Sequence, residues 1–297
     1  MITASKLIPY LHKKYPELRN LPYKVLDSSW SYLVVIAGDK YVFRFPRREE
    51  VKKRLEKERK ILPLLKGILP ISIPDFIYTS DPSDDLVYVG YPMIKGEPLH
   101  AEKFRTLSSL EKGHLAQMLG KFLTVMHRFS HLDLLEKKND TSQIKAEWER
   151  LYKLCSKAFP FMETQTRDWC KNLFERFLLN PENFRFKPQL IHGDLHGAHI
   201  LYNTEDKKLS GIIDFEDMQV GDPAFDFMHL YITYGKEFVQ SVIKYYQGTV
   251  DSTFNERIES FYGKTLNIWG ILHSVETNNK EILNIYLKRL QSEIKNQ

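Results

Sequence analysis

The feature that most restricts the fold is a pair of apolar runs, each breaking into a polar loop that bears an aspartate. The first is Leu190-Ile191-His192-Gly193-Asp194-Leu195-His196-Gly197-Ala198-His199-Ile200-Leu201. Apolar residues enter and leave it, and between them stand three histidines, one aspartate and two glycines. The second is Gly211-Ile212-Ile213-Asp214-Phe215-Glu216-Asp217, which puts Asp214 at a strand end; Gly221-Asp222-Pro223-Ala224-Phe225-Asp226 follows. A loop aspartate between strands can accept a proton from a substrate hydroxyl. A second, at the end of a nearby strand, can hold a hard divalent cation. With a cationic side chain to bind phosphate, the set makes a phosphoryl-transfer site of base, metal and clamp.

The residues before these loops divide into a strand-rich part and a helix-rich part. Thr3 or Ser5 is expected to cap an opening helix that stops at Pro16. Tyr23 to Leu26, Tyr32 to Ala37 and Tyr41 to Phe45 read as strands, the last two paired across Gly38-Asp39-Lys40. Val51, Leu55, Ile61 and Leu62 mark an amphipathic helix over Glu49 to Leu62, which Pro63 should end. Phe76 to Thr79 and Val87 to Met93 are further strands. Beyond Gly96 the pattern turns helical: Leu107 to Phe129, Ser142 to Phe159 and Arg167 to Leu179. Gln189 to Ile191 and Lys208 to Phe215 are the strands that flank the loops. Strands first and helices after is an α+β arrangement. The joint near Pro92 to Gly96 gives an N-terminal lobe, 1–95, and a helical lobe, 96–297.

Net charge is +5, but it is local. Arg44 to Lys60 holds nine basic and four acidic residues, so the rest of the 297 residues sum to zero. A nucleic-acid-binding face would be broadly basic, so this balance argues against one. Cys155 and Cys170, with no second pair, read as buried free thiols in a reducing compartment. No run is long and apolar enough for a signal peptide or a membrane span. The expectation is a cytoplasmic protein.

Taken together, these motifs resemble those of the aminoglycoside and macrolide antibiotic phosphotransferases, which share a bilobal protein-kinase-like fold. The resemblance runs through Phe43-Arg44-Phe45-Pro46-Arg47-Arg48, Ile73-Pro74-Asp75, Ile94-Lys95-Gly96-Glu97-Pro98-Leu99, His192 to Leu201, and Gly211 to Asp226. It implies Asp194 as the base, Asp214 and His199 at Mg²⁺, and Arg44 as the phosphate clamp oriented by Glu58. It also implies a nucleotide loop at Ser28 and Ser29, and a purine edge at Pro92, Met93 and Ile94. The co-substrate would be GTP or ATP, and the protein a monomer. Three positions depart from the kinase pattern. Arg44 replaces lysine, keeping the charge and offering a fork suited to phosphate oxygens. His199 replaces a metal-binding asparagine, although Mg²⁺ prefers oxygen. Ser28-Ser29-Trp30-Ser31 lacks a Gly-x-Gly-x-x-Gly. His192, Asp222 and Asp226 are expected to be structural, holding loop backbone.

The acceptor is read from Phe227-Met228-His229-Leu230-Tyr231-Ile232-Thr233-Tyr234-Gly235, which contains no carboxylate. An aminoglycoside is a polycation whose ammonium groups need acids when desolvated. An apolar, aromatic wall suits a macrolide, phosphorylated on its amino sugar, with His196, His229, Tyr231 and Tyr234 as contacts; an aminoglycoside phosphorylated at its 2''-hydroxyl, or another small hydroxyl compound, is the alternative acceptor. Two other classes compete. His192, His196 and His199 could form a zinc site on a helix, against which Gly193 and Gly197 argue. A nucleotide-binding pseudokinase without transfer activity is the other.

Overall fold

The computed structural model describes residues 4–27, 31–135 and 140–295. Ser28 and Ser29, the expected nucleotide-loop serines, and Thr3 lie outside the described residues. The chain packs as two compact units. One comprises residues 1–126 and 197–218, the other 127–196 and 219–297. The chain thus passes between units after Met126, within the first polar loop, and again after Met218. The compact units therefore do not follow a cut at residue 95, because Gly96–Met126 and Gly197–Met218 pack with the strand-rich part.

In the first unit, α1 (Ala4–Lys14) precedes an antiparallel sheet ordered β1-β2-β3-β5-β4. Its strands are β1 (Tyr23–Leu26), β2 (Tyr32–Ala37), β3 (Tyr41–Pro46), β4 (Tyr78–Thr79) and β5 (Val89–Pro92). Register pairs Val34 with Arg44 and Phe43 with Gly90. The two-residue period of a strand turns Phe43 and Phe45 to one face and Arg44 to the other. Phe43 and Phe45 join Leu7, Leu11, Val35 and Tyr88 in a fully buried cluster. Helix α2 (Glu49–Lys66) contributes Val51 and Leu55 to a second cluster with Tyr32 and Val89. A three-stranded sheet, β6 (Glu97–Pro98), β8 (Ile200–Asn203) and β9 (Lys208–Ile212), carries the hairpin after the first polar loop. Helix α3 (Ala101–Thr106) and most of α4 (Ser109–His127) complete the unit.

The second unit pairs β7 (Gln189–Ile191) with β10 (Gln219–Gly221) among helices. These are α5 (Thr141–Ser156), α6 (Thr164–Leu179), α7 (Ala224–Tyr234), α8 (Lys236–Ile243), α9 (Phe254–Glu256), α10 (Leu266–Glu276) and α11 (Lys280–Lys295). Asp140 and Gln143 form a reciprocal capping box at the start of α5. A π-helical turn, Arg257–Phe261, follows α9 and stacks Phe261 on Phe177 at 3.7 Å. Cys155 and Cys170 are buried and free. A hydrogen bond with Cys155, and then burial, pushes the Cys170 thiol up. Among the described residues, no helix is long and apolar enough to cross a membrane.

Several boundaries differ from the sequence reading. Helix α2 runs through Pro63 to Lys66, because Leu65 is fully buried and its packing holds another turn past the proline. The long helix expected over Leu107 to Phe129 is α4, Ser109–His127; a short helix the sequence reading did not foresee, α3, precedes it and ends at Leu107 in extended backbone. Ser5 lies inside α1 rather than at its cap. The strand leading to Asp214 ends at Ile212, so that aspartate lies in the loop beyond it.

Candidate active site

The residues singled out above fall into two groups, one in each unit. In the first unit, Arg44 is 5% exposed and Glu58 is wholly buried. Arg44 Nη1 and Nη2 donate to the two Glu58 carboxylate oxygens at 2.9 and 3.2 Å. The guanidinium also lies 3.9 Å from the Tyr32 ring centroid, and the Tyr32 hydroxyl donates to Glu58 at 3.4 Å. Burial pushes the Glu58 carboxyl up while Arg44 pulls it down. Burial works against the Arg44 charge, yet Glu58 leads the nearby groups that raise its pKa well above the ordinary value. The two-bond fork favours the ionic form of the pair.

Asp214 stands beside this pair, with Oδ1 3.7 Å from Arg44 Nη2 and Oδ2 3.4 Å from His199 Nε2. Its backbone φ is 67°, a left-handed conformation that aspartate tolerates at a cost and that is common at functional sites. Asp214 Oδ1 and Glu216 Oε2 are buried and find no hydrogen-bond partner among the described residues. Orphaned carboxylate oxygens of this kind fit a hard cation such as Mg²⁺, whereas the His199 imidazole suits it less well. Glu216 Oε1 accepts from Ser31 Oγ at 2.8 Å. Burial, then the neighbouring Asp214 charge, pushes the Glu216 carboxyl up.

In the second unit, Asp194 is half-buried. His196 Nε2 lies 3.5 Å and His229 Nε2 3.8 Å from its carboxylate oxygens. Burial pushes the His229 imidazole below its ordinary value, against the pull of Asp194. The loop that carries Asp194 is pinned from behind. Gly193 takes a φ of 82°, which glycine adopts without strain. The Asp226 carboxylate accepts the His192 and Gly193 amides, both at 2.9 Å, and His192 Nδ1 accepts the Asp194 amide at 3.3 Å. These contacts bear out the structural reading of His192 and Asp226. Asp226 is fully buried and is held from its other side by His127 at 3.1 Å, which in turn meets Tyr246. Asp222 accepts from Arg257, which also binds Asp251. The sequence reading missed His127, Tyr246 and Arg257. They lie far along the chain, and nothing in their local pattern marks them.

The acceptor residues divide. His196 and His229 face each other at 6.1 Å and both flank Asp194. Tyr231 lines a different groove with Lys236, Lys264 and Glu293. Tyr234 does not belong to a substrate wall: it is buried with its ring against Phe238. Phe227, Met228 and Leu230 are buried as well, so most of the apolar segment is core. A larger chamber of about 660 Å³ opens elsewhere in this unit, walled by Trp148, Phe225, Tyr262, Trp269, Glu147 and Asp222 among others. Phe225 meets His229 at 5.6 Å on one side and Tyr262 at 5.3 Å on the other. One ring thus links the chamber to the histidine beside Asp194. At the expected purine edge, Pro92 pairs with Tyr41, and the Met93 amide donates to Lys40 at 2.7 Å.

The chain is similar to proteins of known sequence and structure along most of its length. It is 26% identical to the uncharacterized protein YcbJ of Bacillus subtilis (strain 168), over 74% of this chain and 73% of that one. The GDP and kanamycin complex of APH(2'')-IIIa superposes with a TM-score of 0.88 at 25% identity, covering 98% of this chain and 99% of the other. The macrolide 2'-phosphotransferase MphH from Brachybacterium faecium, as apoenzyme, gives 0.77 at 18% identity over 96% and 97%, a likeness of fold alone. The fold is therefore kinase-like α+β, with a small antiparallel sheet and a larger helical part. A family profile, that of the phosphotransferase enzyme family, matches residues 23–257, and the chain belongs to that family.

Proposed function

We propose that this chain is a small-molecule kinase that moves the γ-phosphate of GTP or ATP to the 2'-hydroxyl of a macrolide amino sugar. The observation that carries the phosphoryl-transfer reading is the buried Arg44–Glu58 fork with the unsatisfied Asp214 oxygen beside it. Arg44, fixed by Glu58 and Tyr32, binds phosphate oxygens without reorganising. Asp214, with His199 at its second oxygen, would hold Mg²⁺, which neutralises phosphate charge when bound. Asp194 orients the acceptor hydroxyl and takes its proton, the loop being held by Asp226. His196 and His229 border the acceptor, and burial favours the neutral form of His229. The segment Pro92 to Ile94 borders the purine through groups other than the Met93 amide, which Lys40 already uses. In this reading residues 1–95 form the nucleotide lobe, and 96–297 carry the acceptor.

The macrolide assignment rests on the chamber. Its walls include the rings of Trp148, Phe225, Tyr262 and Trp269 beside polar groups such as Gln143 and Gln219, and both of its carboxylates are committed, Glu147 to Arg150 and Asp222 to Arg257. A polycation would find no unpaired acid there, whereas a mostly apolar lactone with one ammonium would meet hydrocarbon and ring faces. The higher TM-score to an aminoglycoside enzyme favours a second reading, aminoglycoside phosphorylation, although a shared fold does not fix the acceptor. A nucleotide-consumption assay against macrolides, aminoglycosides with a 2''-hydroxyl and simple amino alcohols separates the two. Turnover confined to aminoglycosides overturns the macrolide assignment. Asp194→Ala should abolish transfer and leave nucleotide binding intact; near-normal turnover in it would remove Asp194 from the mechanism.

A further inference from the structure

We propose that Lys57 is a positioning residue for Asp214, holding the turn that follows it in the shape that presents the carboxylate to a metal-bound nucleotide. The proposal rests on the reading of Asp214 given above. Phe215 to Met218 form a tight turn closed by the Met218 amide on the Phe215 carbonyl at 3.1 Å. Phe215 is fully buried and lies 6.5 Å from the Phe122 ring, so one end of the turn is fixed by packing. The other end is fixed by Lys57, whose ammonium donates to the Glu216 carbonyl at 3.0 Å and to the Met218 carbonyl.

Ordering a long lysine side chain costs rotamer entropy, and drawing its ammonium out of water costs solvation. Two converging carbonyls are what offset both. The turn needs such an anchor because Asp214, just before it, is held at a φ of 67°, a conformation that persists only where its surroundings over-determine it. Lys57 is also next in sequence to Glu58, which fixes Arg44. Two consecutive residues of α2 therefore set the phosphate clamp and the metal-side loop together. Arg54, one turn earlier, reaches side chains rather than turn carbonyls: the Asp217 carboxylate at 2.7 Å, in a pair whose side chains are 43% and 40% exposed, and the Glu216 carboxylate at 3.9 Å. An exposed pair of that kind contributes little.

The test measures the Mg²⁺ concentration needed for tight nucleotide binding, by calorimetry with and without Mg²⁺, together with Mn²⁺ binding by electron paramagnetic resonance. Lys57→Met should raise the metal requirement about ten- to a hundredfold, as loss of a residue supporting a metal ligand does. Metal-free nucleotide affinity should be unchanged. Lys57→Arg, which can still bridge two carbonyls, should recover most of the effect, and Arg54→Ala should show none. If Lys57→Met does not fold, Lys57→Arg against Arg54→Ala decides: a metal requirement equal in both overturns the proposal. So does a Lys57→Met protein that loses thermal stability yet keeps wild-type metal dependence. Asp214→Ala serves as the reference. If it leaves metal dependence unchanged, the role of Asp214 fails, whatever Lys57 does.

Discussion

Removing Glu58 isolates the most consequential charge pair in the first unit. In Glu58→Ala, Arg44 stays on β3 beneath α2, 5% exposed, with its two strongest acceptors gone. Tyr32 still stacks on the guanidinium, but a ring face replaces only a fraction of a bidentate carboxylate. Breaking a buried pair from one side costs about 3–5 kcal/mol, because the remaining charge loses its bidentate partner and keeps only the Asp214 carboxylate at 3.7 Å. For a domain of roughly 150–250 residues each kcal/mol moves Tm by about 2–4 °C, so a fall of about 6–20 °C is expected. Urea denaturation at pH 7 measures the free energy, and calorimetry the Tm. Nucleotide affinity should fall as well, since Arg44 is no longer held in place. The double replacement Arg44→Met with Glu58→Leu removes both charges and should regain most of the stability while binding no nucleotide. A loss in Glu58→Ala below about 1 kcal/mol, the scale of a solvated pair, refutes the reasoning.

Other substitutions test the loop anchors. Asp226→Asn removes the charged acceptor of two backbone amides and His127, and should cost about 2 kcal/mol at pH 7. Burial alone would raise the Asp226 pKa, but His127 and His192 overcome it and hold the carboxyl below its ordinary value. A depressed folded pKa contributes stability above the unfolded value of about 3.9, and that stability is lost as pH falls through the folded value. The gap between wild type and Asp226→Asn should therefore be full at pH 7 and narrow on acidification below about pH 4; a gap independent of pH would contradict it. Gly193→Ala forces a side chain to a φ of 82°, and should cost about 1–2 kcal/mol and lower kcat, read by denaturation and steady-state kinetics. Gly90→Ala would place a methyl 2.5 Å from the Phe43 ring, and should destabilise by about 1–3 kcal/mol with no effect on KM if the unit refolds.

What the sequence determined by itself was the chemistry carried on short, contiguous signals. The run Leu190 to Leu201, the Ile212-Ile213-Asp214 block and Phe43-Arg44-Phe45 each combine an apolar strand pattern with polar residues that the pattern cannot absorb. Through the family resemblance they carry, they implied a kinase-like fold and the Arg44–Glu58 pairing, and the residue pattern itself marked Asp226 as structural. Local pattern failed where packing outweighs propensity, at Pro63 inside α2. The apolar stretch of α7 misled in another way, because hydrophobicity alone does not separate a substrate wall from core. Burial of Phe227, Met228, Leu230 and Tyr234 settled that, and moved the acceptor argument to a chamber built from α5, β10 and α10. Only the tertiary structure could show that His127 and Tyr246, more than a hundred residues apart, back the loop of Asp194. It alone could show that Lys57 grips the turn after Asp214. Hydrogen bonds between segments distant in sequence depend on where the fold sets each backbone group, and no local spacing encodes that.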